Sequence, residues 1–184
     1  MFGLATGVVT VPATVFIAGW LGLLPTQATS DPPAWETAFA RHALHAAATR
    51  RAVHLTNPVI PTEANLRAGM KLFRGDCAGC HGSPTSAGQS SGLYPDPPQF
   101  VSHPPTLPEW QLFWIVKYGV RYSGMFAWDG QWGKDSNGRD VSDEKIWSVV
   151  TFLHRLDSLP PAVAAEWRAK ANDESNADRV CYEM

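Results

Sequence analysis

Cysteine is scarce in this sequence, and its scarcity narrows the chemistry open to the one cysteine pair. The 184 residues include 3 cysteines: Cys77 and Cys80 stand three positions apart, and Cys181 lies far downstream in a polar tail without a second Cys-x-x-Cys pair. A zinc site with four cysteine ligands is therefore excluded, and histidines would have to complete any zinc site. A structural disulfide between Cys77 and Cys80 stays open as an uncommon alternative.

Two further absences exclude classes of function. No alternation of strand and helix surrounds the cysteine pair, and a thioredoxin-like redox motif needs that context. The formal net charge is only -2, whereas a nucleic-acid-binding domain usually shows a basic patch. We therefore expect neither a thioredoxin-like oxidoreductase nor a protein that binds nucleic acid.

Residues 77–81, Cys-Ala-Gly-Cys-His, are typical of a covalent attachment site for haem c. Each thiol can reach one vinyl group of the porphyrin, and the histidine that follows can bind the iron through an imidazole nitrogen. The 15 prolines, 15 glycines and 8 tryptophans suit a cofactor enclosed by loops and large flat side chains. We predict one haem c attached through Cys77 and Cys80, with His81 as an iron ligand.

The N-terminal segment carries no charged side chain before Asp31. Residues 4–24 are an almost unbroken apolar run, and about 20 such residues span a bilayer as a helix. A cleaved signal peptide usually has a basic start and an apolar core of about 7–15 residues, which this segment does not match. We predict that residues 1–28 are a transmembrane anchor that contacts lipid through residues 4–24. A signal peptide cleaved near the small residues at 26–28 is the alternative.

Three arginines after this segment, Arg41, Arg50 and Arg51, bear on its orientation. Positive charge next to a membrane span favours the cytoplasmic side, yet haem attachment by this motif requires the other side. We expect the requirement of haem attachment to outweigh the charge rule in setting the orientation. The prediction is a bacterial inner-membrane protein whose haem domain lies on the periplasmic, extracytoplasmic side.

Capping signals divide the rest of the chain into helices. Asp31 followed by proline predicts a helix over about 33–56. Thr62 predicts the start of a helix that carries Gly69, where another helix can approach closely. Ser-Asp-Glu at 142–144 predicts the start of a last amphipathic helix, since a cap and two acids suit a first turn.

Two more helices follow from similar signals. Thr106 and Glu109 have the spacing of a capping box, and Gly119 fits the end of the helix that would follow. Pro161 predicts the start of a short helix that reaches about residue 171. The predicted organisation is an anchor, a helical linker, a haem domain and a C-terminal extension, at residues 1–28, 29–61, 62–157 and 158–184.

Histidines lie on the linker helix. His42 and His45 have a spacing that would allow a second metal site, and His54 follows them. A partly exposed helix against a membrane or a partner is the simpler interpretation.

Four stretches of the sequence together resemble the class I cytochrome c family, and more closely the small bacterial domains of cytochrome oxidase and dehydrogenase subunits. They are residues 69–73, 77–82, 119–128 and 143–156. The resemblance covers roughly half of the chain. It implies an all-α fold wrapped around one covalent haem, with the first and last helices of the domain crossing.

The resemblance also implies roles for individual residues. A carbonyl of the proline-rich loop would accept the spare N–H of His81; Pro95, Pro97 and Pro98 are candidates, with Pro97 as the working choice. Met125 would be the sixth ligand, a soft thioether that raises the reduction potential. Phe126 follows it where the family often has proline.

Alternatives exist for the sixth ligand and for the surroundings of the haem. Met70, His103 and His154 are weaker candidates as ligands. Arg121, Trp114 and Trp128 are candidates to hydrogen-bond the haem propionates, because buried carboxylates without partners are costly. For the tryptophans, plain packing is an equal alternative.

These features predict a one-electron carrier rather than an enzyme, because an iron with two axial protein ligands has no open position for a substrate. The anchor and the extension favour a permanent subunit of a respiratory or photosynthetic complex. Its partners would be other subunits of that complex or another electron-transfer protein. The alternatives are a haem-based sensor or peroxidase with a displaceable methionine, and a zinc or disulfide module without haem.

Overall fold

Helices make up the regular secondary structure in the described part of this chain. The structure, a computed structural model, describes residues 2–27, 30–89 and 92–169, with side chains from residue 10 onward. Within those ranges it has seven helices and no strand, which agrees with the predicted all-α class. The helices are α1 Phe2–Trp20, α2 Ala34–Arg51, α3 Glu63–Asp76, α4 Ala78–His81, α5 Glu109–Tyr118, α6 Ser142–Leu153 and α7 Pro161–Arg168.

The chain divides into two compact units, Met1–Pro32 and Pro33–Met184. The first unit is built on α1, whose described side chains include the exposed Phe16 and Trp20. In the part of the chain that the structure describes, no helix combines the length and the hydropathy that a membrane crossing requires. The anchor over residues 4–24 therefore stays a prediction.

Helices α3 and α6 cross at Gly69, as predicted from the sequence. A β-carbon at Gly69 would overlap the backbone oxygen of Ser148 and would lie 2.9 Å from the β-carbon of Phe152. The same face of α3 buries Met70 and Phe73, and the rings of Phe73 and Phe152 lie 5.9 Å apart. The missing side chain of Gly69 thus lets the two backbones touch and close the core.

The cap of α3 is also as predicted. The Thr62 side chain accepts a hydrogen bond from the backbone N–H of Asn65 at 3.2 Å, which satisfies one of the unpaired donors of the first turn. The start of the helix that leads into the cysteine motif is therefore set by a local signal.

The predicted capping box at the start of α5 is wrong. The N-cap is Pro108, without a side-chain hydrogen bond, so Thr106 lies two residues too early to cap the helix. Glu109 instead accepts a hydrogen bond from Arg155 at 2.6 Å, and this partner from beyond α6 could not be read from local spacing. The predicted C-terminus holds, because Gly119 ends α5 with a φ of 66°.

The linker helix α2 is shorter than predicted. Its N-cap is Pro33 rather than Asp31, and it ends at Arg51 because the backbone becomes extended at Ala52, with a ψ of 132°. Thr49 accepts a hydrogen bond from Gln111 of α5 at 2.9 Å. The predicted end near residue 56 is thus replaced by an extended connection to α3.

No second metal site is found on the linker helix. His42 and His45 are exposed, and the ring of His54 stacks on Trp110 with 3.9 Å between centroids. Among the described residues, no group of three or more His, Cys, Asp or Glu side chains could hold a metal ion.

The C-terminal extension packs against α3 through α7. The guanidinium of Arg74 donates to the backbone oxygens of Glu166, Trp167 and Ala169 at 2.8–3.0 Å. Trp167 is buried, and its ring meets Phe73 edge-on at 5.8 Å. Helix α7 ends at Arg168, before the predicted end near residue 171, because the backbone becomes extended at Ala169, with a ψ of 143°. Residues 170–184, with Cys181, lie outside the described residues.

Replacing Gly69 tests the helix crossing. Gly69→Ala should lower the free energy of unfolding by about 1–3 kcal/mol, because the added methyl group overpacks the contact with α6. The measurement is urea unfolding followed by circular dichroism.

Gly75 offers a matched control on the same helix, because no heavy atom lies within 4 Å of a β-carbon placed there. Gly75→Ala should leave stability unchanged or raise it by up to ~1 kcal/mol, as alanine favours helix. If both variants unfold alike, Gly69 is not a packing constraint.

Candidate functional site

The cysteine motif forms a single helical turn directly after α3. The backbone N–H of His81 donates to the oxygen of Cys77 at 2.9 Å, and that of Gly82 donates to Ala78 at 2.8 Å. Gly82 then reverses the chain with a φ of 78°. The turn places two thiols and one imidazole next to each other, and the two thiols are not joined in a disulfide.

The imidazole of His81 is oriented by a carbonyl of the proline-rich loop. Its Nδ1 lies 2.9 Å from the backbone oxygen of Pro98. A carbonyl can only accept, so Nδ1 carries the proton and Nε2 of the neutral ring keeps its lone pair. Burial lowers the pKa of His81, against a smaller raising effect of the Pro98 hydrogen bond. The lowered pKa favours the neutral ring, in which Nε2 is free to bind a metal.

The structure corrects the choice of Pro97 as the residue whose carbonyl accepts the hydrogen bond from His81. The Pro97 oxygen accepts from the side-chain amide of Gln99 at 3.2 Å, and the next residue along, Pro98, faces His81. Three prolines in five residues provide few backbone N–H groups to pair with the carbonyls of this loop. The path of the loop therefore determines which of its carbonyls accepts from the His81 ring.

The Cys77 thiol is held in its neutral form. Burial raises its pKa, and the nearby Asp76 carboxylate adds to the effect. Thiol–disulfide exchange uses the thiolate, so a raised thiol pKa does not favour the redox-pair alternative.

Two residues after the prolines contact the motif and were missed from the sequence. The ring of Phe100 stacks on the His81 imidazole, with 4.6 Å between centroids and 14° between planes. The Gln99 side chain donates to the backbone oxygen of Cys80 at 3.0 Å. Neither residue belongs to a recognisable pattern, and only their position directly after the prolines could have pointed to them.

Met125 lies in a tight loop that is fastened to the end of α5. Its backbone oxygen accepts from Val120 at 2.9 Å, and Trp128 donates back to Val116 of α5 at 3.3 Å. A β-carbon at Gly119 would lie 2.7 Å from the Met125 oxygen, so the loop folds over the glycine. The half-buried Met125 packs against the core formed by α5 and α6, and its role as a ligand stays a prediction.

Two of the residues predicted to hydrogen-bond the haem propionates, Arg121 and Trp128, differ in their exposure to solvent. Arg121 is exposed. Trp128 is buried and stacks on Trp132 at 4.5 Å, and the indole N–H of Trp132 donates to Asp76 at 3.0 Å. Trp132, which the sequence gave no reason to select, thus links this loop to the residue before Cys77.

The remaining candidates have structural surroundings of their own. Trp114 is half-buried beside Tyr118, with 5.6 Å between centroids. Met70 is buried in the face of α3 that meets α6. His154 lies 3.7 Å from Glu109, and His103 is exposed.

A buried hydroxyl without a partner bears on whether these residues fit a haem. The Tyr94 Oη is buried and has no hydrogen-bond partner among the described residues. The adjacent Leu93 lies 2.9 Å from a β-carbon placed at Gly124, beside Met125. A buried donor costs free energy unless an acceptor meets it, and a haem propionate would be such an acceptor. The two thiols, the lone pair of His81 and this donor fit a covalently bound haem.

Comparison with known proteins gives one match. Residues 64–153, just under half of the chain, match the family model described as cytochrome c oxidase, cbb3-type, subunit III. No curated protein and no solved structure matches the chain. The matched range contains the cysteine motif, the proline-rich loop, the Met125 loop and the crossing helices α3 and α6. The match of residues 64–153 indicates a c-type cytochrome domain, consistent with the class I cytochrome c family that the sequence resembles.

Proposed function

We propose that the protein is a one-electron carrier with a single haem c attached through Cys77 and Cys80. The c-type cytochrome family implies a covalent haem, for which these two cysteines are candidate attachment residues. The observation that carries the proposal is the 2.9 Å contact between His81 Nδ1 and the Pro98 oxygen. It leaves Nε2 as the ligating nitrogen and holds the ring in one orientation.

A haem held at this site would supply a one-electron iron(III)/iron(II) couple. The chain contributes the ligands and the surroundings. His81 offers an imidazole, and Met125 is proposed to offer a thioether, which favours the reduced iron. Phe100, stacked on the His81 ring, and the buried Trp128 would help to keep water from the haem. If His81 and Met125 both hold the iron, the domain would transfer electrons and would have no position open to a substrate.

We further propose that the protein is a membrane-bound subunit of a redox complex. The description of the matched family names an oxidase subunit, which supports partners in such a complex. The apolar run at residues 4–24 supports an anchor in the bacterial inner membrane, with the haem domain on its periplasmic side. This placement follows from the haem chemistry and not from the fold.

Intact mass spectrometry of the protein extracted from membranes tests both parts of the proposal. The expected mass is that of all 184 residues plus one haem, stable to denaturation because the cofactor is bound through two thioether bonds. A haem-loaded chain without its first 28 or so residues would leave the carrier in place and turn the anchor into a signal peptide. A mass without haem would contradict the central proposal.

Replacing Met125 tests the sixth ligand. Met125→Ala should open one axial position, so the reduced protein should bind carbon monoxide stoichiometrically while the wild type binds it poorly. Its reduction equilibrium should shift at least about tenfold toward the oxidised form, because the thioether favours reduced iron.

Met70→Leu is the control, since Met70 is buried between α3 and α6 and the change conserves volume. It should alter neither carbon monoxide binding nor the reduction equilibrium. Ready binding of carbon monoxide by the wild type would favour the haem-based sensor or peroxidase instead.

A further inference from the structure

Three consecutive residues of the proline-rich loop hold the cysteine motif. The Pro98 oxygen meets His81 Nδ1 at 2.9 Å. The backbone N–H of Phe100 donates to the His81 oxygen at 3.2 Å, and its ring stacks on the imidazole. Between them stands Gln99, whose side-chain amide hydrogen-bonds to backbone groups.

The Gln99 amide joins three segments of chain. Its oxygen accepts from the backbone N–H of Gly88 at 2.9 Å. Its nitrogen donates to the oxygen of Cys80 at 3.0 Å and to that of Pro97 at 3.2 Å. One half-buried side chain thus ties the cysteine motif to the loop that follows it and to the proline-rich loop.

Close packing around the amide leaves it little room to move. A β-carbon at Gly88 would overlap the Cys80 oxygen, and one at Gly82 would lie 2.6 Å from the Gln99 oxygen. The segments meet through glycines because no side chain fits between them. A group of another length at position 99 could not make the same three bonds.

The backbone links this amide to the iron ligand. Pro98 directly precedes Gln99, so the side chain that is bonded to Cys80 and Gly88 restricts where the Pro98 carbonyl can lie. Proline has no backbone N–H, so Pro97 and Pro98 cannot donate backbone hydrogen bonds that would fix the position of this segment. Phe100 supports the same segment from the other side.

We propose that Gln99 is a positioning residue that holds the Pro98 carbonyl against Nδ1 of His81 and so sets how strongly Nε2 donates to the haem iron. The inference rests on the proposed haem ligation by His81. A firm Nδ1–H···O bond makes the imidazole a better donor, and a better donor stabilises the oxidised iron. Loosening the carbonyl should therefore favour the reduced form.

The test replaces Gln99 with methionine, which has nearly the same length and makes none of the three hydrogen bonds. The control is Gln111→Met, which removes a buried glutamine of α5 that is hydrogen-bonded to Thr49 of α2 at 2.9 Å. Both changes are made in the full, haem-loaded chain. A merely structural role would make the two variants behave alike.

Two readouts report on His81 rather than on stability. Proton NMR of the reduced protein measures how fast the His81 Nδ1 proton exchanges with solvent, and this exchange should be at least about tenfold faster in Gln99→Met. Redox titration should show a shift of about tenfold toward the reduced form, or ~59 mV for one electron. Gln111→Met should move neither quantity, although it lowers the unfolding temperature.

The possible outcomes distinguish a failure of the inference about Gln99 from a failure of the proposed function as a haem c electron carrier. A wild type without haem would remove the proposed function, and the inference with it. A haem-loaded Gln99→Met with unchanged proton exchange and potential would overturn the inference alone.

A second variant guards against a folding defect. Gln99→Asn keeps the amide but withdraws it by one methylene group, and it should shift both readouts in the same direction. If both Gln99 variants lose haem while Gln111→Met keeps it, Gln99 is needed for folding and the proposal is overturned.

Discussion

The close crossing of α3 and α6 at Gly69 is the contact on which the other parts of this domain depend. The cysteine motif begins at the residue after α3 ends, so the seating of α3 on α6 determines where the motif lies. On its other side α6 packs against α5, through Phe113 stacked on Trp147 at 4.1 Å. Since α5 carries the Met125 loop, three helices in contact position both candidate ligand segments.

The loops are fastened to this helical frame mainly by backbone groups. The proline-rich loop is held by carbonyls and by one glutamine side chain, and the Met125 loop is held by hydrogen bonds to Val120 and Val116. Glycines occur where these segments touch, at Gly82, Gly88 and Gly119, because a β-carbon would not fit. A cofactor site made of loops can thus be ordered without regular secondary structure, provided that each loop finds partners for its polar groups.

The environment of the motif favours neutral groups. The same desolvation that lowers the pKa of His81 raises that of Cys77, because a poorly solvated site penalises either charge. Among the described residues, exposed ion pairs such as Arg67 with Glu166 at 2.8 Å contribute little to stability. Poor solvation at the motif therefore favours the uncharged forms of both His81 and Cys77.

The sequence by itself determined those features that depend on a few neighbouring residues. These include the turn of Cys77 to His81, the cap at Thr62, the need for glycine at position 69 and the helix end at Gly119. Each follows from local backbone geometry or from the absence of a side chain, and can therefore be recognised from the residue type at one position. The tertiary structure alone decided that Pro98 rather than Pro97 meets His81, that Gln99 and Phe100 hold the motif, and that Glu109 pairs with Arg155 instead of capping α5. Those contacts join segments that are far apart along the chain, so their partners are set by how the loops pack and not by any local spacing.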